Sequence, residues 1–129
     1  MAAEHVRVGF DRSRIHVARS FERCKRIFHC IGIEVAKDQN IRLRSGWFSD
    51  RSACYLAAGR PVINQDTGFG NILPTGKGLF DFRTMEDVLT AIDTIEADYA
   101  GNCDAALQIA REYFAAEKVL DDLMTKAGF

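Results

Sequence analysis

No run of this 129-residue chain stays apolar for more than a few positions, far short of the roughly 18 residues that cross a bilayer. A transmembrane helix is therefore excluded on sequence. Met1-Ala2-Ala3-Glu4-His5 lacks the basic stretch and apolar core of a signal peptide, so a cytoplasmic location is expected. Proline occurs only twice and glycine ten times, too few for a collagen repeat or a low-complexity linker. The four cysteines, Cys24, Cys30, Cys54 and Cys103, form no C-x-x-C pair and sit among apolar neighbours, which predicts buried thiols rather than a disulfide framework. Cys24, His29 and Cys30 make the densest metal-ligand set, but ligands five apart on a helix point about 140° away from each other, so no metal site is expected. What the chain does have is 47% hydrophobic residues and nearly balanced charge, 17 Lys+Arg against 18 Asp+Glu. That composition and length fit one globular domain.

The balance conceals a polarity. Residues 1–60 hold 12 basic and 6 acidic side chains, whereas residues 61–129 hold 5 and 12. A basic half is one mark of nucleic-acid or phosphate affinity, and equally of two halves that attract each other.

His5 to Phe10 alternates weakly, as a short strand or a leader would. From about Ser13 to Cys30 the period becomes helical, with Val17, Phe21, Cys24 and Phe28 on one stripe and Arg19, Arg23 and Arg26 opposite. Ile31 to Ala36 reads as a strand, and Lys37 to Gly46 as a polar connection. Ser49 is placed to cap a helix over 50–58 that turns Ala53, Leu56 and Ala57 inward and stops at Gly59. Pro61 to Asn64 then reads as a strand, followed by a glycine-rich loop and a further strand at 79–82. Thr84 with Asp87 three residues on resembles a capping box, opening a helix whose stripe is Met85, Val88, Leu89, Ile92, Ile95 and Tyr99. Asn102 is expected to cap the next helix, which carries Ile109, Ala110, Tyr113 and Phe114. The last, over 117–126, presents Val119, Leu120, Leu123 and Met124. The predicted fold is α/β: a small parallel, Rossmann-like sheet of three or four strands flanked by helices.

Several motifs invite chemistry and fail on inspection. Asp66-Thr67-Gly68 is the aspartic-protease tripeptide, but Phe69 follows where a small residue is needed, and those enzymes are nearly all β. Gly70 to Lys77 imitates a phosphate-binding loop, yet its spacing is one residue too long and Gly78 replaces the magnesium-holding hydroxyl. His5, His16 and His29 have no nucleophile beside them in the pattern, so no catalytic residue is assigned. Arg19, Arg23 and Arg26 lack interleaved aromatic residues, so nucleic-acid binding is not expected. The first turn of the helix after Ser49, about Asp50 to Ser52, remains as an anion site by geometry and dipole, with Arg44 and Arg51 near in sequence and Trp47 placed either to stack on a base or to plug the core. Asp66-Thr67-Gly68 follows a strand, at the sheet edge where open α/β folds bind ligands. A purely structural alternative has Ser49 only capping and Gly68 only turning.

The run Ser45-Gly46-Trp47-Phe48-Ser49-Asp50-Arg51-Ser52-Ala53-Cys54-Tyr55-Leu56-Ala57-Ala58-Gly59-Arg60-Pro61-Val62 resembles a segment of a bacterial family of two-domain, GT-B-fold glycosyltransferases. The resemblance continues through Gln65-Asp66-Thr67-Gly68, Leu73-Pro74-Thr75-Gly76-Lys77-Gly78-Leu79 and Ile109-Ala110-Arg111-Glu112-Tyr113-Phe114 with Lys118-Val119-Leu120. It implies a nucleotide-sugar donor site at Gly46, Trp47, Phe48, Ser49, Asp50, Arg51 and Ser52, and at Asp66, Thr67 and Gly68, the crevice to which Arg44 is already expected to add charge; no cofactor is expected. Two sugar- and ribose-binding glutamates common in that fold would fall on Gly46 and Cys54, so those contacts are missing. The resemblance covers roughly residues 33–129 and implies a truncated C-terminal domain; with the pattern read above, residues 1–129 form one unit, a leader and basic helix over 1–30, a strand-helix-strand-strand core over 31–82, and a helical region over 84–127. Without an acceptor domain such a chain is expected to be inactive alone and to cover its C-terminal helices by homo-oligomerising; the alternative is an oligomeric α/β module that retains no ligand.

Overall fold

A computed structural model describes residues 30–128. The expected strand near residues 5–10, the basic helix over 13–30 with Arg19, Arg23 and Arg26, Cys24, the three histidines and Phe129 lie outside the described residues.

The described chain is an α/β domain with one three-stranded parallel sheet. Its elements are β1 (Gly32–Glu34), α1 (Asp38–Arg42), α2 (Asp50–Ala57), β2 (Val62–Gln65), a 3-10 turn (Phe69–Asn71), β3 (Leu79–Phe82), α3 (Met85–Ala97), α4 (Tyr99–Tyr113) and α5 (Ala116–Ala127). The strand order is β1-β2-β3, all parallel, with Ile33 beside Ile63 and Ile63 beside Phe80. Strand alternation divides the core in two. Ile31, Ile63 and Phe80 pack with Val88, Ala91, Ile92 and Ile95 of α3 on one face. Val62 and Leu79 point the other way, into Leu56 of α2, Phe69, Leu73 and Ala106, Ile109 and Ala110 of α4. A sheet buried on both faces gives strands that are apolar at successive positions, as Val62 and Ile63 are. Each such side chain, fully buried, contributes roughly 1.5–3 kcal/mol.

The helix ends follow local chemistry. Ser49 Oγ accepts from the N–H groups of Arg51 at 3.1 Å and Ser52 at 3.4 Å, which starts α2. At its other end Arg60 N–H donates to the Tyr55 carbonyl and Gly59 N–H to that of Leu56, both at 2.9 Å, a Schellman closure. Thr84 and Asp87 form the reciprocal capping box of α3.

Five sequence expectations are corrected. Asn102 does not cap α4; Asp98 does, accepting from Gly101 N–H at 3.0 Å, while Asn102 is buried one turn in and accepts from Gly78 N–H at 2.8 Å. Met85, at the solvent end of α3, is exposed rather than in the buried stripe, and Tyr99, expected in the same stripe, is exposed too and opens α4 instead. Ala57 is exposed and Ser52 takes the inward place. The stretch Lys37 to Gly46 is not all connection: α1 lies within it, a five-residue helix with no buried residue, and hence no apolar period to read. Finally, Cys54 is exposed, and Cys30 and Cys103 are half-buried, so these thiols are not core residues.

Gly78 fixes how closely α4 approaches β3. Its φ is +74°, and a Cβ there would lie 2.5 Å from the Ala106 nitrogen, so only glycine fits.

Candidate functional site

The carboxyl ends of β2 and β3 lead directly into the site. Asp66 follows β2, and its backbone N–H continues the ladder to the Phe82 carbonyl at 2.9 Å, which places Asp66 opposite Arg83. The Asp66 carboxylate, only 5% exposed, accepts through Oδ2 from Arg44 Nη1 at 2.8 Å and Arg83 Nε at 2.7 Å, and through Oδ1 from Gly68 N–H at 2.8 Å. Burial alone would raise its pKa. The arginine and backbone donors outweigh that and hold the group down at about 2, so it is an anion throughout the physiological range. A base that weak accepts no proton in catalysis; Asp66 is an organiser.

Asp66 joins the two segments that the sequence places in one crevice. Gly46 N–H donates to the Thr67 carbonyl at 2.9 Å. Thr67, fully buried, donates through Oγ1 to the Trp47 carbonyl at 2.7 Å. Gly68 packs against the Arg44 backbone: its φ is +94°, and a Cβ there would come within 3.3 Å of the Arg44 carbonyl oxygen. Arg44 itself adopts φ +48°, the one non-glycine residue with positive φ among those described. Such a backbone is a local cost held in place by the contacts around it.

The predicted site residues divide by what they touch. Arg44 pairs with Asp66 yet keeps 49% of its side chain exposed, and Trp47 is partly open to solvent. Asp50 and Arg51 are exposed on the first turn of α2, where Arg51 lies 3.7 Å from Glu34 at the end of β1. Phe48 turns inward, stacked on Phe114 at 5.5 Å and tilted against Phe69 at 5.4 Å. Ser49, Thr67 and Gly68 are buried and hold the loops. Ser52 is buried as well, donating to Asn64 Oδ1 at 2.8 Å. Asn64 Nδ2, beneath that first turn, is buried with no hydrogen-bond partner.

Sequence reasoning missed Arg83, Asn64 and Glu34. No sequence signal marks Arg83: it meets Asp66 because the register that pairs Gln65 with Phe82, set only by the folded sheet, also brings their successors together. Asp81 and Asp87 add negative potential around Arg83. Among the described residues no group of three His, Cys, Asp or Glu is placed to hold a metal ion, and no helix is long and apolar enough to cross a membrane. An open groove of about 570 Å³ lies elsewhere, between α4 and α5, lined by Asp104, Leu107, Gln108, Arg111, Glu112 and Lys118.

No protein-family model, no curated protein and no solved structure matches the chain. The domain is thus defined by its fold, a small Rossmann-like α/β unit, and by the loops at the carboxyl edge of its sheet.

Proposed function

We propose that this domain binds a nucleotide-sugar at the wall formed by residues 44–52 and Asp66-Thr67-Gly68, as the donor-holding part of a cytoplasmic glycosyltransferase, and that it transfers no sugar unaided. The observation that supports this reading most directly is the Arg44–Asp66 contact at 2.8 Å. It ties Asp66, in one segment that the glycosyltransferase resemblance assigns to the donor, to the loop that leads into the other at Gly46, across 22 residues of sequence. On that wall an arginine fork, half exposed, suits a diphosphate, and the partly open Trp47 indole suits a nucleobase. The first turn of α2 adds the partial positive charge of a helix start.

The experiment is a thermal-shift panel of UDP-, GDP-, ADP- and dTDP-sugars on the full chain, with a short DNA duplex as control. A ligand that binds only the folded state raises the melting temperature, by an amount that grows with its concentration. Stabilisation by one nucleotide family is expected; a flat response to all four overturns the donor reading.

A second reading is favoured by α5. None of its residues is buried, and Val119, Leu120, Leu123 and Met124 are 48–59% exposed on one side. A 12-residue helix is marginal without tertiary support, so this reading has α5 packing against a second copy in a homo-oligomer that carries no ligand. Both readings allow a dimer or larger by light scattering, so the nucleotide-sugar panel separates them: this one predicts an oligomer that no nucleotide-sugar stabilises.

A further inference from the structure

A cavity of about 240 Å³ lies where β3, an edge strand of the sheet, meets α3 and the loop at Thr75-Gly76. Three elements build its wall. The carboxylates of Asp81 and Asp87 and the hydroxyls of Thr75, Thr90 and Thr94 line it, over an apolar floor of Phe80 and Ala91, both buried. The donors on that wall are already committed. Thr90 Oγ1 donates to the Glu86 carbonyl at 2.9 Å and Thr94 Oγ1 to the Thr90 carbonyl at 2.8 Å, so each hydroxyl offers only lone pairs. Gly76 N–H is spent on the Leu79 carbonyl at 2.8 Å. Asp87 Oδ2 receives the N–H groups of Arg83 and Thr84, both at 2.9 Å, which fixes that carboxylate in place. Among the described residues no basic side chain lines the cavity. Arg83 carries charge near both aspartates but is fastened to Asp66 at 2.7 Å.

A wall of acceptors selects a ligand that brings hydrogens and positive charge. A purely apolar molecule leaves the two carboxylates without partners. A bare metal ion is poorly served, since no group of three His, Cys, Asp or Glu is placed to hold one among the described residues. The volume, below the roughly 300–1,000 Å³ of a drug-sized pocket, limits the ligand to about one ring. We propose that this cavity binds a small, hydroxyl-bearing primary ammonium ion of the amino-sugar class. The ammonium group, with three donors and no acceptor, pairs with Asp81 and Asp87. The ring hydroxyls donate to the oxygens of Thr75, Thr90 and Thr94, and the C–H face of the ring lies on Phe80 and Ala91. None of these residues belongs to the donor wall, and the site needs no nucleotide.

The test is a calorimetric titration of the full chain with glucosamine, and with glucose and N-acetylglucosamine as neutral counterparts, in mildly acidic buffer. No nucleotide enters the titration, so its result is independent of the donor reading. Saturable glucosamine binding is expected, weaker by about tenfold or more for the two neutral sugars, which lack the charged donor. Its affinity is expected to fall as salt is raised. Asp81→Asn keeps the shape of an exposed side chain and removes its charge. That variant is expected to lose about tenfold in glucosamine affinity with its urea midpoint unchanged. Glucosamine that fails to bind, that binds no better than glucose, or that binds Asp81→Asn undiminished overturns the proposal.

Discussion

Arg83 Nε lies 2.7 Å from Asp66 Oδ2 because two strands share a register. Gln65 and Phe82 are partners at the ends of β2 and β3, so the next residue of each strand faces the other across the carboxyl edge of the sheet. Arg44 reaches the same oxygen from a loop that precedes α2, and the Gly68 N–H closes the remaining side of the carboxylate. One buried anion thereby pins three stretches of chain.

That arrangement sets an acid limit. Asp66 titrates at about 2 in the folded protein against 3.8 for an unperturbed aspartate, so its contribution is complete above about pH 4 and is lost as pH falls toward 2. The shift corresponds to roughly 2 kcal/mol. Urea denaturation at pH 5 and pH 2.5 is expected to show that loss in the wild type and a smaller change in Asp66→Asn, which has no carboxyl at that position to protonate. Equal pH dependence in the two proteins would locate the acid sensitivity elsewhere.

Arg44 separates binding from stability. Glycine accepts a φ of +48° that arginine tolerates at a cost, and Asp66 keeps its Arg83 and Gly68 donors. Arg44→Gly is therefore expected to remain folded, with a stability change within about 1 kcal/mol, and to lose any nucleotide-sugar response. Isothermal titration calorimetry beside a denaturation curve checks both halves; undiminished binding removes Arg44 from the site.

Thr67→Val keeps the shape of a fully buried side chain and deletes its hydrogen bond to the Trp47 carbonyl. The expected cost is about 1–2 kcal/mol, with a red-shifted emission of Trp47, the chain's single tryptophan, as its loop loosens. An unshifted spectrum would mean that the other contacts hold the loop without Thr67.

Gly78→Ala should be far more damaging than substitution at a glycine facing open space. An added methyl group meets the Ala106 nitrogen and the Ala105 carbonyl carbon, at 2.5 and 2.8 Å, both backbone atoms of α4 that yield only if the helix moves. Gly76 has a similar φ, +102°, with nothing within 4 Å of the same position. Gly76→Ala is the control for backbone strain alone, expected near 1–2 kcal/mol, and Gly78→Ala is expected to exceed it in parallel urea titrations.

The parts of this protein legible in its sequence are those in which cause and effect are a few residues apart. Ser49 caps α2, Thr84 and Asp87 box the start of α3, and Leu79–Phe82 is a strand, because a cap acts at fixed offsets of two or three residues and strands carry their own composition. The two-sided burial of the sheet was legible for the same reason. The folded structure alone decided which residues meet across long separations: Arg83 with Asp66, Ser52 with Asn64, Phe48 with Phe114, and Asn102 with Gly78 rather than with the start of its own helix. Register and helix docking set those pairs, and both minimise the energy of the whole core, in which no single side chain announces its partner.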